Sequence, residues 1–203
     1  VSALADSRIE WRRNAAPQGA IGNIDQAFRN RPFVGGQAAM VLEDDNYLFT
    51  DHLAAQVRLL EKHRVGVAFS AQRCEKVLAP GQPGELLGQL TLSWIYPEGR
   101  HAWRMLLPAV LFSHGFSNGG AFWRLGGASD FEIGPVTRRP GIQETLRLLR
   151  LRDDCYVCHN PTAVWRGNDP IDSFVSVRTS GIAGRLDRLR ELREMQDYRR
   201  WYL

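Results

Sequence analysis

The chain lacks the features that mark several broad classes of protein. It has only three cysteines in 203 residues, too few for a disulfide framework in a chain of this length. No apolar run is long enough to cross a bilayer, and no signal peptide of charged, apolar and small residues opens the chain. Internal repeats and low-complexity tracts are also missing. We therefore expect a cytoplasmic protein whose fold does not depend on disulfides.

The composition is that of an ordinary globular protein with a mild basic excess. Hydrophobic residues make up 44% and charged residues 24% of a chain that is long enough for one sizeable core. The net charge of +4 comes almost entirely from arginine. Nucleic acid, a nucleotide diphosphate and an anionic membrane surface all suit such a charge, so composition alone does not choose the partner.

The sequence is organised around an apolar run that ends in acids. Ala38 to Leu42 is too short for a helix and is followed at once by Glu43, Asp44 and Asp45. This pattern predicts a buried strand that delivers carboxylates to the edge of a sheet, where ligands bind in open α/β folds. Adjacent carboxylates suit a hard divalent cation such as Mg²⁺ or Mn²⁺. The alternative is an acidic turn that simply follows a strand.

Helix and strand patterns alternate along the chain. Helices are predicted over 23–30, over 51–63 and from Pro140, and further strands over 65–70, 155–157 and 163–165. In the second helix Leu53, Val57 and Leu60 recur at helical spacing, and Thr50 is its candidate N-cap. Because a strand, a helix and a strand follow one another, the order indicates an α/β fold.

The stretch from Ile182 to Leu203 predicts a basic amphipathic helix. Leu186 and Leu189 continue an apolar stripe from Ile182, and arginines cover the other faces. Such a helix packs on its own domain in most proteins. A peripheral contact with an anionic membrane surface is the alternative.

The run from Met40 to Leu53 resembles the centre of a family-2 glycosyltransferase with the GT-A fold, where a strand ends in an acidic metal-binding motif and a helix follows. With gaps, the resemblance extends from about Ala5 to about Asp169. It implies an incomplete GT-A sheet flanked by helices over residues 1–178, followed by a C-terminal helix over 179–203. It also implies a nucleotide-diphospho-sugar donor, a saccharide or other hydroxyl acceptor, and no nucleic acid.

The resemblance assigns candidate residues to the donor side of the reaction. It makes Asp45 the ligand of a divalent cation, Mn²⁺ or Mg²⁺, and places Asp44 beside the metal or the ribose. The cation would neutralise charge on the departing phosphate. Further donor-binding positions are implied in the turn that begins at Ser117 and in the strand motif 160–166, where Trp165 replaces the usual tyrosine; they are Asn118, Gly119, Gly120, Arg124 and Arg166.

The acceptor side needs a carboxylate base, because transfer with inversion requires a proton to leave the attacking hydroxyl. The resemblance places Glu144 at this position, with Gln143 where the family has a further acid. A first-turn acid that interacts with the helix dipole is the alternative interpretation of Glu144. Asp130, in the segment 126–132 that resembles the family's Gly-Gly-Phe-Asp-Glu, is the second candidate.

The resembling family opens with elements that bind the nucleotide base, and we expect this N-terminal part to precede Val1. A non-catalytic remnant of the fold, or an interaction module, is therefore the main alternative to an active glycosyltransferase.

The segment Cys155-Tyr156-Val157-Cys158-His159 suggests a different function, because it spells the attachment signature of c-type haem. Tyr156 and Val157 favour a strand, on which the two thiols would point to opposite faces. A haem-binding electron carrier is thus the distant alternative, and buried, inert cysteines are the default interpretation.

Overall fold

The structure is a computed structural model that describes residues 9, 13–29, 38–43, 46–77, 84–92, 96–107, 118–125, 133–134, 140–167 and 193. Within these residues lie three α-helices, α1 (Gly19–Arg29), α2 (His52–His63) and α3 (Pro140–Leu149), and 3₁₀ turns at Trp103–Met105 and Asn118–Gly120. The strands are β1 (Ala38–Ala39), β2 (Tyr47–Leu48), β3 (Val67–Lys76), β4 (Glu85–Leu90), β5 (Gly99–His101), β6 (Ala121–Arg124) and β7 (Cys155–Gly167). No helix in this part of the chain is long and apolar enough to span a membrane.

The strands form one mixed sheet in the order β1-β6-β3-β7-β2, which confirms the α/β class. The long strands β3 and β7 run parallel at its centre, whereas β1–β6, β3–β6 and β2–β7 are antiparallel. β7 pairs with one edge of β3. On the other edge, β6 pairs with the N-terminal part of β3 and β4 pairs with its C-terminal part. In the same way β5 and β2 share the free edge of β7.

Strand β3 is buried on both faces, which is typical of a strand covered by helices on two sides. On the first face Val67, Phe69 and Ala71 pack in a core that includes Leu146 and Leu149 of α3 and is joined by Ile24 of α1. On the second face Ala68 packs with Leu60 of α2, Val65 and Phe122. The sheet therefore separates α1 and α3 from α2.

Helix α2 buries a different stripe from the one its leucines suggest. Of the three residues at helical spacing, only Leu60 is buried, while Leu53 and Val57 are 54% and 40% exposed. The buried positions one and two turns before Leu60 are Gln56 and His52, respectively. Since Leu60 packs against Val65 and His52 bonds to Thr162 on β7, both ends of the helix are fixed in this orientation.

Other boundaries also differ from the prediction. Helix α1 begins at Gly19 rather than at residue 23, and β1 spans two residues rather than five. Asp51, not Thr50, occupies the N-cap of α2, without a side-chain capping bond. The two short strands predicted over 155–157 and 163–165 are one strand, β7. The helix predicted from Ile182 to Leu203 lies outside the described residues, apart from Arg193.

Candidate functional site

Hydrogen bonds hold the two residues that flank Asp44 and Asp45 in the sequence, Glu43 and Asn46. Asn46, which is buried, donates its side-chain amide to Glu43 Oε2 at 2.7 Å and its backbone N–H to the Glu43 carbonyl at 3.2 Å. The side-chain oxygen of Asn46 accepts a bond of 2.9 Å from the backbone N–H of Arg166 on β7. Asn46 therefore ties Glu43 to the end of the central strand pair. Asp44 and Asp45 lie outside the described residues.

Arg166 is held by a second carboxylate on the neighbouring strand. Its Nε lies 2.8 Å from Glu75 Oε1, and parallel pairing of β3 and β7 places the two residues opposite each other. Glu75 also accepts bonds from the Tyr47 hydroxyl at 2.6 Å and from the Gly84 backbone N–H at 3.1 Å. The bond to Glu75 is the main reason why the pKa of Tyr47 is raised. This network fixes the orientation of Arg166 at the strand end.

A cavity of about 860 Å³ opens beside the acidic run. Three segments line it, the stretch 14–24 that includes the beginning of α1, residues 41–43 after β1, and residues 165–167 at the end of β7. Glu43 and Arg166 supply its charged groups, Asn14 and Asn23 supply amides, and Trp165 supplies an aromatic surface. The volume lies within the range of small-molecule sites, and the lining combines apolar surface with a few polar groups, as such sites do.

The glycine turn lies against the same loop from the second face of the sheet. Gly119 and Gly120 are buried, and a methyl group added at Gly119 would lie 2.9 Å from Gln72 Nε2 and 3.8 Å from Asn46 Nδ2. A methyl group at Gly120 would lie 2.7 Å from the Ser70 carbonyl oxygen, a backbone atom that cannot move aside. Close packing thus requires glycine at Gly120, and the structure brings the turn next to Asn46.

Glu144 lies in a buried ion-pair cluster between α1 and α3. Its Oε2 accepts a 3.0 Å bond from Arg147 Nε, and Arg147 NH2 donates at 3.0 Å to Asp25 of α1. Asp25 in turn accepts the backbone N–H groups of Ile133 and Gly134. Burial, more than any other influence, raises the pKa of Glu144, and the charge of Glu43 acts in the same direction. The second oxygen, Oε1, is buried without a hydrogen-bond partner among the described residues.

The remaining predicted positions are not gathered at the cavity. Arg124 is exposed and lies opposite Ala38, at the beginning of β1, whereas the acids follow its end. Asp130 and the side chain of Asn118 lie outside the described residues. Among the predicted residues, the structure therefore places Arg166, Gly119 and Gly120 around the acidic loop. The catalytic and metal-binding assignments stay predictions.

The donor set at the cavity fits a hard divalent cation only in part. Within the described residues there is no group of three His, Cys, Asp or Glu side chains that could hold a metal ion. The carboxylate of Glu43 is nevertheless oriented by Asn46 at the cavity, directly ahead of Asp44 and Asp45 in sequence. Mg²⁺ sites of this kind use one or two carboxylates together with substrate phosphates and water, so Glu43 and the neighbouring pair are the residues that would hold it.

The two cysteines of the haem-like motif lie on opposite faces of β7. Cys155 packs in the core of the first face, and Tyr156 belongs to the cluster of the second face. Cys155 is completely buried, and burial raises the pKa of its thiol to about 12. The imidazole of His159 lies 2.7 Å from the Tyr96 carbonyl oxygen, and its backbone N–H donates to Glu98. The motif is thus part of a central strand rather than a turn that presents two thiols.

No protein-family model matches the chain, and comparison with curated proteins gives no match either.

Three residues of the site were not assigned from the sequence. Glu43 and Asn46 flank the acidic pair, and their position in the run is a signal that could have drawn attention to them. Glu75 has no such signal, because it meets Arg166 only through the pairing of β3 with β7.

Proposed function

We propose that the chain is a glycosyltransferase that moves a sugar from a nucleotide-diphosphate donor to an acceptor hydroxyl, with Mn²⁺ or Mg²⁺ bound at the acidic loop. The observation that carries the proposal is the 860 Å³ cavity at the end of β1, with Glu43 and Arg166 at its wall and the acidic pair next in sequence. We place the reaction in the cytoplasm, and the fold would be of the GT-A type.

Each part of the site has a chemical task in this proposal. The guanidinium group of Arg166, which forms an ion pair with Glu75 at the cavity wall, would bind the negatively charged diphosphate of the donor. The divalent cation would neutralise the charge that develops on the leaving diphosphate. The close-packed turn at Gly119 and Gly120 lies next to Asn46 and would help to hold the loop around it in place. These residues bind and orient the donor, and they leave the acceptor proton to a separate base.

Glu144 and Asp130 are the candidates for this base. Burial raises the pKa of Glu144, which would strengthen it as a proton acceptor. Its ion pair with Arg147 supports the alternative that Glu144 joins α1 to α3 and has no part in chemistry. That observation favours a second candidate function, a non-catalytic module that keeps the fold and binds a ligand or partner.

Binding of a nucleoside diphosphate tests the donor side. The measurement is calorimetry with Mn²⁺ and a panel of nucleoside diphosphates, on the longest version of the protein that its reading frame encodes. Asp45→Ala should weaken metal-dependent binding by about tenfold or more, which corresponds to about 1.4 kcal/mol. Asp51→Ala, an exposed aspartate a few residues further on, is the matched control and should bind as the wild type does. Unchanged binding in Asp45→Ala would refute the metal assignment.

Sugar transfer tests the enzyme against the non-catalytic module. If Glu144 is the base, Glu144→Gln should abolish transfer while donor binding persists, so that kcat and kcat/KM fall together. Transfer that survives in Glu144→Gln but not in Asp130→Asn would identify Asp130 instead. If the wild-type protein binds the donor and transfers no sugar to any acceptor, the non-catalytic candidate is correct.

A further inference from the structure

A second group of polar side chains, distinct from the cavity, lies inside the fold between α2 and β3. We call it the polar layer, and it consists of His52, Gln56, Ser70 and Gln72. The two helix residues are one turn apart, and both are buried. On β3, Ser70 and Gln72 follow Ala68 on the face that α2 covers, since Ala68 packs with Leu60 of that helix. All four side chains are at most 1% exposed.

Most hydrogen-bonding groups of the polar layer have no partner in the part of the chain that the structure describes. His52 uses Nδ1, which lies 2.8 Å from Thr162 Oγ1, but its Nε2 has no partner among the described residues. Neither the oxygen nor the nitrogen of the Gln56 and Gln72 amides has one, and the Ser70 hydroxyl also lacks one. A buried polar group that makes no hydrogen bond destabilises the folded state, because it has lost its hydrogen bonds to water. Several such atoms in a dry layer would remove a large fraction of the free energy of unfolding of a single domain.

We propose that the polar layer binds ordered water molecules, which form a hydrated seam from His52 and Gln56 to the glycine turn. The far end of the seam is defined by Gln72, whose amide lies directly against Gly119 and Gly120. The water molecules thereby link α2 to the turn that supports the candidate site. This inference does not depend on sugar transfer.

The chemistry of the polar layer selects water over an ion or an organic ligand. Two amides and a hydroxyl offer both donors and acceptors, and they carry no charge. Burial lowers the pKa of His52, which keeps its imidazole neutral and adds one further donor or acceptor. Water both donates and accepts, and buried water typically makes about three hydrogen bonds to groups that lack protein partners. An ion would find no charged side chain in the polar layer to balance it.

The sign of a stability change distinguishes a hydrated layer from a dry one. In Gln56→Met an amide is replaced by an unbranched apolar side chain of similar length. If water fills the polar layer, the water and the remaining groups lose hydrogen bonds, and Tm should fall by about 2–4 °C or more. If the layer is dry, the same change removes two unsatisfied atoms and Tm should rise. Val57→Met, which introduces the same residue on the exposed side of α2, is the control.

A direct count of bound water completes the test. Magnetic relaxation dispersion of water oxygen measures long-lived internal water in the wild-type protein and in each variant. We expect Gln56→Met and Ser70→Ala each to lose at least one such molecule, and Val57→Met to lose none. Ser70→Ala removes a single atom, so it keeps the test informative if Gln56→Met does not fold. A rise in Tm, or an unchanged water count in both layer variants, would overturn the proposal.

Discussion

At the scale of single residues, three carboxylates near the site are held in three different ways. Glu43 is oriented by the Asn46 amide at the cavity wall. Glu75 accepts from Tyr47 and from the Gly84 backbone, and it also pairs with Arg166. Glu144 is buried with one oxygen on Arg147 and the other without a partner among the described residues. Glu75 therefore has a structural task, Glu43 lies at the cavity wall, and burial raises the pKa of Glu144.

The raised pKa of Glu144 predicts how stability depends on pH. Burial raises this pKa above its ordinary value of 4.5, against the opposing effect of Arg147, while Asp25 and Glu43 add to the increase. The folded state thus binds the proton more tightly than the unfolded state does. The contribution of Glu144 to stability is complete below its unfolded pKa and is lost as the pH rises through the folded pKa.

The comparison with Glu144→Gln isolates this contribution, because glutamine does not titrate. The free energy of unfolding of the wild type, relative to that of Glu144→Gln, should decrease as the pH rises above the ordinary pKa of 4.5, by about 1.4 kcal/mol for each unit of pKa shift. Urea denaturation of both proteins across this range gives the difference, and Glu61→Gln on the exposed side of α2 is the control. A difference that increases with pH would mean that Arg147 outweighs burial.

At the scale of elements, α2 shows how tertiary contacts decide which face of a helix is buried. Its leucine and valine spacing suggested one stripe, but the helix turns His52 and Gln56 toward the sheet. It ends in a residue with unfavourable backbone geometry. Arg64 adopts the left-handed conformation with φ of 50°, and its backbone N–H bonds to the carbonyls of Glu61 and Leu60. Glycine is the usual residue at such a helix end because it has no Cβ.

Substitution of Arg64 tests this helix end. Arg64→Gly should raise the free energy of unfolding by about 0.5–1 kcal/mol, because relief of the left-handed strain exceeds the added entropy of the unfolded chain. Lys62→Gly is the matched control in the last turn of the same helix, and it should lower the free energy of unfolding by about 1 kcal/mol. Both values come from urea denaturation. Destabilisation by Arg64→Gly would show that the Arg64 side chain makes contacts worth more than the strain.

The elements also show what could be predicted from the sequence. The α/β class and the helix from Pro140 were predicted correctly, because alternating patterns and a proline at the first helical turn are local signals. The continuity of β7 was missed, since its middle contains Pro161 and its register with β3 shifts between Ser70 and Gln72. The clustering of Asp25 with Arg147 was missed as well, because packing of α1 on α3 creates it.

At the scale of the whole molecule, the parallel pair of β3 and β7 organises everything else. The remaining strands extend the sheet from the two edges of this pair, and the helices pack on its two faces. Arg166 and the loop around Asn46 lie at its end. Cys155 lies at the beginning of β7, between Val67 of β3 and His101 of β5. Its side chain packs in the core of the first face and is completely buried, so the thiol becomes accessible when that core opens.

Thiol labelling can therefore measure this opening. At about pH 8 a thiol with a pKa of about 12 is ionised to only about one part in ten thousand, so Cys155 is protected by burial and by protonation together. In a Cys74→Ala/Cys158→Ala background, we expect Cys155 to react with a disulfide reagent only at the rate set by global unfolding. In a Cys74→Ala/Cys155→Ala background, Cys158, which is only partly buried, should react at least about tenfold faster.

The same geometry predicts that the Cys155–His159 segment does not acquire haem. Covalent attachment needs both thiols on one side of a short turn and an accessible histidine, whereas Cys155 and Cys158 face opposite sides of β7. The His159 ring is also engaged with the Tyr96 carbonyl. Protein produced together with the c-type haem maturation machinery should therefore give no pyridine haemochrome signal after acid extraction. A covalent haem signal, or labelling of Cys155 as fast as that of Cys158, would mean that β7 does not form the centre of the sheet. In that case the candidate site at the end of β7 would be wrong as well.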